Sequence, residues 1–166
     1  MSREIAYYEM SYEDIAQVSA MELKYFSQPW TEAGIGHYME AGNTIFLVAK
    51  DTQDASLVGY CALMYIADEA ELISIAVRED CRGYGIAREM LDISYEMLRD
   101  RDVVTIHLEV RESNEAAIGL YESEGFERVG LRKDFYSKPE ENALLYTLRL
   151  QPEDEDNESG EHFPER

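Results

Sequence analysis

The chain has 166 residues, 45% of them hydrophobic and 11% aromatic, with a formal net charge of −20, a composition that fits one soluble globular domain. That charge excludes a nucleic-acid backbone as partner, since phosphates need a basic face, and leaves open either a cationic partner or solubility alone. No apolar run approaches a membrane span, residues 61–67 being about the longest, and residues 1–4 hold no apolar leader, so a cytosolic chain without a membrane partner is expected, with Cys61 and Cys81 as reduced thiols lacking metal or redox spacing.

Residues 3–10 alternate in the manner of a strand. Ser11 followed by Asp14 predicts a capped helix over 12–25, which Ser27-Gln28-Pro29 interrupts. Thr31 caps a second short helix to about residue 40, and Ala41-Gly42-Asn43 breaks the chain again. Residues 44–50 and 57–66 read as a hairpin joined by Asp51-Thr52-Gln53-Asp54. Asp68-Glu69 turns the chain into residues 72–77, an apolar run suited to a strand buried on both faces, and Asp68, Glu69 and Glu71 read as a solvated turn. After Gly83 and Gly85, the stripe Ile86, Met90, Ile93, Met97 predicts a long helix. Residues 103–110 form another strand, with Ile106, Leu108 and Val110 on one face and His107, Glu109 and Arg111 on the other. Ser113-Asn114 opens a helix over 115–124 that Gly125 closes. Two strands follow, over 126–134 and 143–150. Beyond Leu150 come seven acids and one arginine, expected to be a disordered tail (151–166) outside the domain of residues 1–150. This order predicts an α+β fold: a mixed, mostly antiparallel sheet with a central βαβ crossover and flanking helices.

The strand, glycine turn and helix around Gly83 present free backbone N–H groups and the positive end of a helix dipole, an anion site suited to phosphate. The dinucleotide pattern fails, because Ile86-Ala87-Arg88 lacks the third glycine, and no G-K-[ST] follows for a P-loop. A plain βα turn remains the alternative reading of these residues alone.

Arg82-Gly83-Tyr84-Gly85-Ile86-Ala87 resembles the R/Q-x-x-G-x-G/A pyrophosphate loop of the GNAT family of N-acetyltransferases. Residues 108–126, L-E-V-R-E-S-N-E-A-A-I-G-L-Y-E-S-E-G-F, resemble the RimI-type members, which acetylate the N-terminal alanine of the small-subunit ribosomal protein numbered eighteen. Residues 26–32, around Pro29-Trp30, resemble them as well, so the likeness covers about residues 3–150. It implies the GNAT fold, acetyl-CoA as co-substrate, no metal, and a basic N-terminal peptide of a ribosomal protein as partner. It implies Glu109 as general base and Tyr121 as the acid for the leaving thiolate, with Asn114 in contact with CoA. Backbone groups of Ser74, Ile75 and Ala76 would lie along the acetyl and pantetheine groups, where side-chain identity should matter little. Two departures stand out: Ala87 replaces the commoner second glycine, and Arg82 stands where glutamine is frequent, although an arginine there can reach a phosphate oxygen.

The chemistry makes sense from the residues too. An α-ammonium with a pKa of about 7.7–8.0 must lose its proton before it attacks. The thioester oxygen needs donors, and the departing thiolate benefits from a proton. Without the motif Glu109 reads as an exposed strand-end carboxylate, Tyr121 as a core aromatic and Asn114 as an N-cap. His107 is a second possible base on the face of Glu109, ranked behind it because the motif does not ask for it. Arg78, Arg82 and Arg88 would make the CoA phosphate site locally positive within an acidic body. The favoured expectation is an N-α-acetyltransferase of a protein N-terminus. The alternatives are acetylation of a small amine such as a polyamine or aminoglycoside, and a CoA-binding regulatory module without turnover, against which the presence of both Glu109 and Tyr121 counts.

Overall fold

A computed structural model describes residues 3–152; the expected disordered tail lies outside the described residues from 153 onward. The elements follow the expected order: β1 (Ile5–Glu9), α1 (Ile15–Tyr25), α2 (Glu32–Ala41), β2 (Thr44–Asp51), β3 (Leu57–Ile66), β4 (Glu69–Val77), α3 (Ile86–Arg99), β5 (Thr105–Arg111), α4 (Glu115–Ser123), β6 (Glu127–Tyr136) and β7 (Glu141–Arg149). The first turn of the expected 12–25 helix is a separate 3₁₀ turn, Tyr12–Asp14. There the Asp14 carboxylate accepts the Ser11 N–H at 2.9 Å and pairs with Lys50 at 2.6 Å. Thr31 caps α2 as expected, its hydroxyl oxygen accepting the Gly34 N–H at 3.0 Å.

Seven strands form one sheet in the order β1-β2-β3-β4-β5-β7-β6. Only β4 and β5 run parallel, and α3 is the crossover between them. Parallel neighbours need such a connection, whereas β2–β3 and β6–β7 close as antiparallel hairpins. β7 inserts between β5 and β6, which leaves β6 at the sheet edge.

The two faces of the sheet carry separate cores. Packed with α3 and α4 are Leu47, Val58, Cys61, Leu63, Leu72, Ile106, Leu108 and Val110; packed with α1 and α2 are Phe46, Val48, Tyr60, Ala62 and Ala76. The alternation expected for β5 is observed, with Ile106, Leu108 and Val110 buried and His107, Glu109 and Arg111 part-exposed on the other face. The α3 stripe is rotated from the expected one. Ile86, Met90, Leu91, Ser94, Tyr95 and Leu98 are buried, while Ile93 and Met97 flank the core. Ser94 enters the buried stripe because its hydroxyl donates to the Met90 carbonyl at 2.7 Å. Burying each large apolar side chain on this face contributes about 1.5–3 kcal/mol, which anchors α3 and the turn before it. Cys61 and Cys81 are both buried free thiols, as expected.

Candidate active site

The site is built on an interruption in the sheet. β4 and β5 pair over only three positions, Glu69↔Thr105, Ala70↔Ile106 and Glu71↔His107. Glu69 and Glu71 therefore belong to a strand and not to a solvated turn. Beyond Glu71 the two strands part. β4 stays paired with β3 on its other edge, with Ile73 as an extra residue: Leu63 pairs with Leu72 and Ala62 with Ser74. Such a bulge bends its strand and increases its twist. The edge of β4 facing β5 is left with unpaired backbone groups.

A cleft of 530 Å³ occupies the opening. Leu72, Ile73, Ser74 and Ile75 form one wall, and Glu109, Val110, Arg111, Asn114, Ala117 and Tyr121 the other. The central strand is therefore not buried on both faces as expected: Ile73, Ser74 and Ile75 are part-exposed because they line this cleft. Ala76 is buried against Tyr60 and lies off the cleft wall.

Glu109, with its side chain 23% exposed, faces Arg132 at 3.4 Å. Burial pushes its carboxyl above the ordinary range, the Arg132 guanidinium pulls it down, and Glu71 pushes it up again. A carboxylate with a raised pKa is a better proton acceptor for an amine. Tyr121 is only 6% exposed and packs edge-on against Phe126, ring centroids 5.7 Å apart. It lines the cleft as well. Burial drives its phenol well above the usual tyrosine range, so it stays protonated at neutral pH and available as a donor. Asn114 caps α4 through its side-chain oxygen, which accepts the Ala117 N–H at 3.2 Å, and also borders the cleft. His107 is on the face of Glu109 but outside the cleft lining; its ring nitrogens lie 2.9 Å from the Thr147 hydroxyl and 3.4 Å from Glu69.

The glycine turn sits at the C-terminal end of β4 and opens α3. Gly83 and Gly85 have φ of +86° and +78°, the left-handed region that favours glycine, and a Cβ on either would meet open space within 4 Å. No side chain caps α3, so the first N–H groups of a 14-residue helix, from Ile86 and Ala87 onward, remain available to an anion. Tyr84 is 81% exposed, its ring standing clear of the turn's core. The residues of the turn therefore fit a pyrophosphate.

The expected basic cluster is otherwise arranged. Arg82 donates to the Val77 carbonyl at 2.9 Å and stacks over Tyr25. Arg78 forms a forked pair with Asp80. Arg88 holds Glu124 at 3.1 Å and Ser123 at 2.7 Å. Arg78 and Arg88 are thus paired with carboxylates, whereas Arg82 has no carboxylate partner among the described residues, its Nε alone meeting a neutral carbonyl.

Several cleft residues escaped the sequence reading. Arg111 donates to the carbonyls of Ser137 and Pro139 and to the Ser27 hydroxyl, at 3.0–3.2 Å, and lies over the Tyr136 ring. Gln28 donates to the Ser137 hydroxyl at 2.8 Å. These bonds join the α1–α2 turn to the β6–β7 tip across the cleft. Glu22, Tyr136, Lys138 and Pro139 also line it. The only readable signal was Glu22 itself, a carboxylate on the same helical stripe as Val18 and Tyr25. Ser74 corrects a further expectation, because its side chain has a specific partner: the hydroxyl donates to Glu22 at 2.7 Å.

A parallel strand pair that parts over a cleft, with a glycine turn and helix N-terminus behind it, defines the class as an acyl-CoA N-acyltransferase domain. Residues 13–126 match the model described as the acetyltransferase (GNAT) family, and the chain belongs to that family; it is an acetyl-CoA-dependent N-acetyltransferase. A relative from Salmonella typhimurium (strain LT2), named ribosomal protein bS18-alanine N-acetyltransferase, is 34% identical over 144 residues, 85% of this chain and 95% of its own. The protein of the same name from Escherichia coli (strain K12) is 31% identical over 139 residues, 82% and 92% of the two chains. The crystal structure of the ribosomal-protein-S18-alanine N-acetyltransferase from Escherichia coli superposes with a TM-score of 0.78 at 28% identity, covering 89% of this chain and 95% of that one. Ard1 from Thermoplasma volcanium superposes with 0.79 at 25% identity, covering 89% and 98%. Among the described residues no group of His, Cys, Asp and Glu could hold a metal, and no helix is long and apolar enough to cross a membrane.

Proposed function

We propose that this enzyme acetylates the α-amine of the N-terminal alanine of ribosomal protein bS18, in the cytosol. The observation that carries the chemistry is the placement of Glu109 and Tyr121 in one cleft with separated roles, a carboxylate raised toward amine basicity and a phenol held protonated. The substrate follows from the names of the relatives. It suits the acidic chain, which draws a basic peptide. The bridge between the α1–α2 turn and the β6–β7 tip roofs the cleft, which favours the end of an extended chain.

The acetyl-CoA pyrophosphate rests on the N–H groups of the Gly83–Ala87 turn, and the pantetheine runs along the unpaired edge of β4 at Ser74 and Ile75. Asn114 borders the same channel. Glu109 takes a proton from the ammonium, and the free amine attacks the thioester carbon. The C–N bond forms, the attacking nitrogen gives up its second proton to solvent, and the C–S bond breaks as the tetrahedral intermediate collapses. Tyr121 gives its proton to the departing thiolate and regains one from solvent. His107, held by Thr147 and Glu69, has no part in this sequence.

The test is acetyl transfer to an Ala-starting basic peptide with the bS18 N-terminal sequence, beside spermidine and an aminoglycoside. Turnover of the peptide alone supports the proposal. Preference for a small amine replaces the substrate class, and absence of all turnover with intact CoA binding replaces the enzyme by a regulatory module.

A further inference from the structure

Glu22 is a carboxylate in the interior that the transfer reaction does not use. It is 3% exposed, sits on the buried side of α1 and lines the cleft. Among the described residues no cation pairs with it; its partners are neutral donors. One oxygen accepts the Tyr60 hydroxyl and the Ser74 hydroxyl, and the other accepts the Trp30 N–H at 3.3 Å. The Tyr60 and Ser74 oxygens are 3.1 Å apart. Burial, and then the nearby Glu22 charge, hold the Tyr60 phenol far above its usual range, so it remains a donor.

These partners belong to two different walls. Ser74 immediately follows the extra residue of the β4 bulge, where the strand parts from β5. Trp30 ends the turn after α1 and packs against Tyr38 and Phe46, ring centroids 5.1 and 6.3 Å away. That turn carries Ser27 and Gln28, which reach the β6–β7 tip. Glu22 is thus the side chain through which the bulged strand and the roof of the cleft hold a common position.

We propose that Glu22 is a positioning residue, a buried strut that fixes the thioester-side wall at Ser74 to the peptide-side turn at Trp30. This rests on the reading above, in which acetyl-CoA follows β4 and the peptide enters under residues 26–30. The requirement is for a carboxylate in particular. Three donors converge on one group, and a carboxylate accepts all of them while presenting no hydrogen of its own. An amide of the same shape presents an N–H₂ to this ring of donors. With its oxygen toward the hydroxyls it sets N–H₂ against the Trp30 N–H, and with its oxygen toward Trp30 it forces the Tyr60 and Ser74 hydroxyls to accept and to turn their own hydrogens elsewhere, so the three-donor arrangement is lost in either flip. The same logic explains why a charge without a cation is tolerated here: several hydrogen bonds on its two oxygens replace its hydration.

Trp30 is the only tryptophan in the chain, so its fluorescence reports on the turn independently of turnover. Glu22→Gln and the milder Tyr60→Phe are compared with wild type by Trp30 emission, by exchange of the Trp30 amide hydrogen, and by kcat and KM for peptide and for acetyl-CoA, each below its melting temperature. The expected result for Glu22→Gln is faster exchange at Trp30, a shifted emission and a peptide KM raised about tenfold, the scale of one lost charged hydrogen bond. The KM for acetyl-CoA stays within about twofold, because its phosphate site is elsewhere, and Tyr60→Phe shows smaller changes in the same direction. If Glu22→Gln does not fold, Tyr60→Phe decides alone. Wild-type emission and exchange in a folded variant overturn the proposal. So does a kcat that merely falls with the folded fraction while both KM values hold. Should wild type fail to turn over the peptide, the substrate reading fails instead, and Trp30 exchange still decides the strut.

Discussion

Glu109→Gln keeps the shape of the side chain and removes the proton acceptor. Its neighbour Arg132 is largely exposed, so losing that pair costs little stability. Removal of a general base slows the reaction on the order of 10²–10⁴-fold. The loss depends on pH in a way the site dictates. With an α-amine pKa of about 8, roughly a tenth of the peptide is already free amine at pH 7 and about nine tenths at pH 9. The deficit of the variant should therefore shrink about tenfold between these values. In wild type the sign at low pH is the reverse of a protective effect: protonated Glu109 accepts nothing, so kcat/KM falls as pH drops through its raised pKa. That acid limb should vanish in Glu109→Gln. The assay is kcat/KM from pH 5 to 9.5 with an Ala-starting basic peptide at saturating acetyl-CoA. A variant with the wild-type rate and a parallel profile would reduce Glu109 to a strand-end carboxylate.

Tyr121→Phe keeps the ring packed on Phe126 and removes the hydroxyl; its rate loss should persist at pH 9, because the missing proton is needed by the thiolate, and a loss that disappears at high pH contradicts the assignment. Arg132→Gln removes a cation 3.4 Å from Glu109, worth about 1.2 kcal/mol in a water-like dielectric and more beside a part-buried carboxylate, so the acid limb should move up, on the order of 1 pH unit; a downward move refutes the electrostatic account. Gly85→Asp places an anion and a strained left-handed residue at the mouth of the turn, and acetyl-CoA binding by calorimetry should be lost while the fold, by circular dichroism, is kept.

The sequence was sufficient wherever a feature depends on near neighbours along the chain. The bounds of β3, the alternation along β5, the Thr31 and Asn114 caps and the glycine turn before α3 all appear as read. Each follows from periodicity, a capping oxygen within three residues, or a backbone angle that only glycine adopts easily. The residues proposed for the chemistry were legible through their resemblance to a known motif; their separated proton affinities were not, since those come from burial and from Arg132 and Glu71 on other strands. The tertiary structure alone decided that β7 inserts between β5 and β6, that β4 and β5 part after three pairs, and that Arg78 and Arg88 pair with Asp80 and Glu124 while Arg82 meets only the Val77 carbonyl and the Tyr25 ring. It also decided that the Ser74 side chain has a specific partner, because the carboxylate it binds lies 52 residues earlier on another element. Partners so distant in sequence leave no local period to read, and which donor meets which acceptor is settled only when both faces of the sheet close over their cores.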